Sequence, residues 1–211
     1  MKKYLVAAAL CALSANANAA AIVSLPGGTP LPIPVQSATF TTAPYVLAPG
    51  IVASPAPGST FTAGYTGGYG FSSNGDWTGT SMIGLDLPAG YFTINFANPI
   101  QAFLGELNWS TDNSSANATM DIFGASGLLE SLTLESAGVN AVAPGFHGFS
   151  RASNEITSVR FNNEYIGVRN ISTVTGAIPE PATWMMMLMG FGLIGAAMRS
   201  NVKSGLRVRY T

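Results

Sequence analysis

Between residues 61 and 176 apolar and polar positions alternate in short segments that Gly, Asn and Pro interrupt, the period-two pattern of antiparallel strands. Phe92, Ile94 and Phe96 fall on one face and Thr93 and Asn95 on the other. Met120 and Ile122 alternate with Thr119 and Asp121, and Leu132 and Leu134 with Ser131 and Thr133. Gly124-Ala125-Ser126-Gly127 is placed to turn one hairpin. Asn162-Asn163 is placed to turn a second, between a strand carrying Thr157, Val159 and Phe161 and one carrying Ile166 and Val168. The spacing predicts seven to nine strands with no helical pattern joining them, which makes the fold class all-β, an antiparallel β-sandwich or jelly-roll body over 61–176. No repeat of fixed period points to a solenoid or propeller.

The flanks break this pattern. Over 20–60, Pro26, Pro30, Pro32, Pro34, Pro44, Pro49, Pro55 and Pro57 stand too close together for a helix or a central strand, and predict an extended, partly ordered arm. Residues 1–19 open with Lys2 and Lys3, continue with an apolar run over 5–15, and end in Ala17-Asn18-Ala19, with small residues at the two positions a signal peptidase reads. This predicts a signal-peptide helix cleaved after Ala19; an eleven-residue apolar run is too short to cross a bilayer. The single cysteine, Cys11, leaves with that segment, so the mature chain is expected to hold no thiol and no disulfide.

At the other end, 182–198 runs for 17 residues without a charge and is followed by Arg199, Lys203, Arg207 and Arg209. As a helix it covers about 26 Å, slightly short of a hydrocarbon core near 30 Å, a marginal transmembrane helix that Trp184 and Arg199 help to seat at the interfaces. The run is apolar on every face rather than along one stripe. Basic residues lie only on its 199–211 side, which places that tail in the cytoplasm and the body across the membrane, the topology the signal peptide also sets. Just before the run, Pro179 and Pro181 fix their own φ and push Ile178 and Glu180 out of the helical region, so the helix cannot begin before Pro181. One extended, carboxylate-bearing stretch is thereby held just outside the lipid, in the form a protease accepts.

Pro179-Glu180-Pro181 with Trp184, the apolar stretch containing Gly190-Phe191-Gly192-Leu193-Ile194-Gly195, and the basic tail closely resemble a PEP-CTERM sorting signal of exopolysaccharide-producing Gram-negative bacteria. The resemblance covers 177–211, with the motif at 179–184, the span at 182–198 and the tail at 199–211. Family members commonly carry a tight arginine cluster after the span, whereas here the charges are spread along the tail. The resemblance implies recognition by an exosortase, a membrane-embedded cysteine protease, after a signal peptidase has acted at the other end. It implies an inner-membrane, single-pass intermediate with a periplasmic body, then delivery to the cell surface or extracellular matrix. The catalytic cysteine belongs to that partner.

Composition narrows what the body can do. Charged residues are 9% of the chain, and from 20 to 178 three arginines stand against nine acids, a net charge of −6 with no lysine. Such a body lacks the basic patch that nucleic acid requires. One histidine, His147, and no second histidine or cysteine leave no zinc site or Cys-His pair, so no metal, cofactor or catalytic residue is expected; His147 reads as a loop or edge residue. Asp112-Asn113-Ser114-Ser115 reads as a solvated turn rather than a Ca²⁺ loop. Trp77 and Trp109, with Tyr69 and Tyr91, are candidates for stacking on sugar rings, against the alternative that the tryptophans fill the core. The expectation is a non-enzymatic structural or adhesive protein. The alternatives are an exopolysaccharide-binding module, a secreted hydrolase acting through a carboxylate such as Glu106, and an ice-binding protein, for which the threonines from Thr39 to Thr66 lack a regular array.

Overall fold

The computed structural model describes residues 20–36, 40–110, 117–135, 141–176 and 181–200, with side chains of the last segment described over 186–195. The strands, in chain order, are β1 (Ala20–Ile22), β2 (Thr29–Leu31), β3 (Tyr45–Ala48), β4 (Ile51–Pro55), β5 (Phe61–Tyr65), β6 (Tyr69–Gly70), β7 (Asp76–Trp77) and β8 (Met82–Leu85). They continue with β9 (Tyr91–Ile100), β10 (Ala102–Asn108), β11 (Ala118–Gly124), β12 (Gly127–Leu134), β13 (Gly145–Ser150), β14 (Ile156–Asn162) and β15 (Gly167–Val174), before helix α1 (Pro181–Ser200).

Two antiparallel sheets result. One runs β1-β13-β10-β15-β8-β5 with β2 also paired to β15, the other β12-β11-β14-β9-β4-β3, and β6 and β7 form a separate two-stranded ribbon. The alternation predicted from sequence sets which faces meet. Phe92 and Ile94 on β9, Met120 and Ile122 on β11, and Val159 and Phe161 on β14 are all fully buried in the core between the sheets. Phe103, Leu107, Phe149 and Val168 meet them from the seven-stranded sheet. The rings interlock: Phe161 stacks on Phe92 at 4.9 Å and tilts against Phe103 at 5.9 Å. This is a β-sandwich, all-β as its periodicity requires.

Segment 20–60 is extended, but it does not stand apart as an arm. β1 and β2 pair with β13 and β15, and β3 and β4 extend the second sheet through β9. Pro44 and Pro49 flank β3 and Pro55 closes β4, while Pro30 sits inside β2, whose only described strand partner is β15. A missing N–H costs least at such positions.

The Gly124–Gly127 turn joins β11 to β12 as predicted. Asn162-Asn163 does not turn a hairpin. β14 belongs to the six-stranded sheet and β15 to the seven-stranded one, so the chain crosses the sandwich here. Asn163, Glu164 and Tyr165 adopt positive φ in succession, and the amides of Asn163 and Glu164 donate to Gly90 O and Pro88 O at 3.0 and 2.9 Å. Those bonds offset a left-handed cost of about 1–2 kcal/mol per non-glycine residue. The period-two pattern on either side is the same for a hairpin and for a crossover.

A smaller apolar cluster of Phe71, Trp77 and Met82, with Tyr69 against it, is separate from the main core. Gly84 and Gly167, paired across β8 and β15, leave it room. A Cβ on Gly167 would stand 2.8 Å from Phe71 Cζ, and one on Gly84 2.7 Å from Met82 Cε.

Candidate functional sites

Trp109 is fully buried in the main core and Trp77 is 7% exposed in the smaller cluster. A sugar ring needs an open indole face, and neither tryptophan offers one, so both fill cores. Tyr69 is held as well: its hydroxyl donates to Leu85 O at 2.6 Å, and burial, with Asp86 and Tyr165 nearby, pushes its pKa up. Tyr91 alone of the four candidate aromatics lies half-buried on an outer sheet face. His147 lies within β13, one strand in from the β1 edge, with Nε2 donating to Ala143 O at 2.9 Å and its ring edge-on to Trp109 at 6.2 Å.

The sequence did not expose a polar row on the outer face of the seven-stranded sheet. Register sets Phe146 opposite Glu106 and Glu106 opposite Arg169. Between Arg169 and Ser172 the strand carries one residue more than its partner, and the bulge holds Asn170 at φ 48°. A bulge of this kind re-aims a side chain. Asn170 Nδ2 therefore donates to Glu106 Oε2 at 2.6 Å, beside Arg169 Nε at 2.9 Å and the Arg169 Nη2 to Oε1 bond at 2.7 Å. The Arg169 guanidinium in turn lies 4.2 Å over the Trp77 ring. Next to the row, Leu31, Ile33, Ser81, Phe146 and Asn170 line part of an open cleft of about 490 Å³.

The Arg169 hydrogen bonds, aided by Asn170, hold the Glu106 carboxyl below its ordinary pKa of 4.5 against a smaller opposing effect of burial. A carboxylate kept ionised, with both oxygens occupied, is poorly suited to give or take a proton. Glu106→Gln is expected to destabilise the fold by about 1–3 kcal/mol at pH 7, because Arg169, with 19% side-chain exposure, loses its charged partner. Since the folded pKa is depressed, the wild-type advantage is complete above the unfolded pKa near 4.5 and fades as pH falls through the lower folded value. Urea melts of both proteins from pH 3 to 7 measure it; a gap that stays constant or widens on acidification contradicts the pairing.

The sorting segment is seen in part. α1 runs Pro181–Ser200, and Met186, Leu188, Met189, Phe191, Leu193 and Ile194 on it are each between 58 and 72% exposed, covered by no part of the sandwich. Among the described residues no helix is long and apolar enough to cross a membrane. Pro181, Trp184 and Arg199 fall within α1 with side chains not described. Ala17, Ala19, Pro179, Glu180, Lys203, Arg207 and Arg209, like the loop at Asp112, lie outside the described residues. The body's exit is anchored, with the Gly176 amide donating to Asn154 Oδ1 at 3.1 Å. The five Cα steps from Gly176 to Pro181 can reach at most about 18 Å.

Residues 177–201 match the family model described as the PEP-CTERM protein-sorting motif. No curated protein and no solved structure matches the chain. The chain thus carries an exosortase sorting motif, which implies export, a membrane-anchored intermediate and processing by an exosortase.

Proposed function

We propose that the protein is carried across the inner membrane by the signal peptide 1–19, removed after Ala19 by signal peptidase, and is held there by 182–198 with 199–211 in the cytoplasm. An exosortase then cuts near Pro179 to Pro181 and passes the β-sandwich to the cell surface or extracellular matrix, where it serves as a structural or adhesive element without catalysis. The observation that carries this reading is the sorting motif at 177–201, which contains an apolar helix that the sandwich leaves uncovered. An apolar surface of that kind requires a partner, and lipid fits one that is apolar all round. The Glu106 carboxylate, engaged on both oxygens by Arg169 and Asn170, supports the non-catalytic part for the residue that a hydrolase reading singles out.

A second reading, an exopolysaccharide-binding module, is supported by the polar outer face of the six-stranded sheet, where Tyr91 lies among hydroxyl and amide groups. Cell fractionation tests the main proposal. With an exosortase present the protein is expected in the surface or matrix fraction; without it, in the inner membrane. An equal distribution in both strains contradicts sorting by this route.

A further inference from the structure

Of the three arginines in the body, Arg151 pairs with Glu155 at 2.9 Å and Arg169 with Glu106 at 2.7 Å. Arg160 makes no ion pair among the described residues, and its buried Nε has no hydrogen-bond partner there. It stands on β14 with its guanidinium carbon 4.3 Å from the Tyr91 ring centroid and 4.5 Å from that of Phe123. Register explains the arrangement. Phe123 on β11 is opposite Ser158, Tyr91 on β9 is opposite Asn162, and Arg160 lies between those two positions. The two rings therefore flank it on a diagonal across three strands of the outer face. Ring contacts cover the faces of a guanidinium and leave its in-plane N–H groups; with Nε buried, the terminal Nη1/Nη2 pair is the edge that takes a planar carboxylate bidentately.

The neighbours decide what kind of acid fits. Directly across from Arg160 are Asp121 and Thr93. Asp121 accepts from Ser131 Oγ at 2.5 Å and from Asn162 Nδ2 at 2.9 Å, and Asn162 Nδ2 also reaches Thr119 Oγ1 at 2.7 Å. A carboxylate has about four lone-pair sites, so Asp121 keeps acceptor capacity. It repels a bare anion, as does the net charge of −6 on the body, but it accepts from a hydroxyl. A ligand that brings a carboxylate to Arg160 and hydroxyl donors to Asp121 satisfies both residues at once. The geometry points to a binding site for a carboxylated sugar, a uronate unit of an acidic polysaccharide, on the outer face of the six-stranded sheet at Arg160. The ligand class rests on the carbohydrate-binding reading and is independent of sorting.

Affinity electrophoresis of the full chain in non-ionic detergent tests it, through gels containing polygalacturonate, dextran (neutral, hydroxylated) or polyacrylate (acidic, without hydroxyls). Polygalacturonate alone is expected to retard the protein, with free galacturonate restoring mobility and free galactose not. Arg160→Gln and Arg160→Lys are expected to weaken retardation at least about tenfold, the lysine because it keeps the charge and loses the planar fork. The free-sugar competition uses the wild-type chain and so stands even if a variant misfolds. Equal retardation by polyacrylate, or a folded Arg160→Gln variant that binds as wild type, overturns the site. Retardation by dextran alone overturns it and leaves the carbohydrate-binding reading; retardation by none of the three overturns both.

Discussion

Phe161→Ala is expected to cost about 3–5 kcal/mol and to lower Tm by on the order of 10 °C. The ring is fully buried, stacked on Phe92 in its own sheet and tilted against Phe103 in the facing one, so its removal opens a cavity where the two layers are joined. Neither sheet can close that space without shifting its ladder, because β14 is held between β11 and β9. Phe146→Ala provides the contrast, since that ring is 43% exposed and its loss is expected to change stability by less than about 0.5 kcal/mol. Thermal melts of both variants check the pair. A Phe161→Ala protein that melts within about 2 °C of wild type contradicts the inter-sheet core described here.

The parts of the fold that a local pattern encodes were legible. Alternation at Phe92, Ile94 and Phe96 identified a half-buried strand, and glycines at 124 and 127 marked a hairpin, because pleat and turn geometry depend on near neighbours. Sheet membership depends on far ones. Asn162-Asn163 reads as a hairpin turn until Pro88 and Gly90, more than seventy positions earlier, are found to accept the corner's amides. The prolines of 20–60 argued against a helix or a central strand, yet strands of three to five residues form among them, β2 with Pro30 at its middle and β4 ending on Pro55. Trp77 and Trp109 offered themselves as sugar platforms by residue type alone, and only burial decides that question. Glu106, Arg169 and Arg160 gave one signal, the scarcity of cations in an acidic body; that Arg169 meets Glu106 while Arg160 meets two aromatic rings is set by register and by the Asn170 bulge.

The sorting segment is the opposite case, legible because its chemistry is local. Replacing Pro179 and Pro181 together by Ala is expected to reduce exosortase processing at least about tenfold. Proline costs a helix interior about 3 kcal/mol relative to Ala, so the double variant allows the apolar helix to grow toward the body through the stretch the protease must accept extended. Each 1.4 kcal/mol by which helix is then favoured cuts the extended population about tenfold.

Intact mass of the protein recovered from cells with and without an exosortase tests the central claim most directly. With the enzyme, the mass is expected to lack both 1–19 and the segment after the Pro179–Pro181 region. Without it, the mass is expected to lack 1–19 alone and to come from the membrane. A chain that keeps its apolar C-terminal segment on material collected from the cell surface or medium contradicts the account.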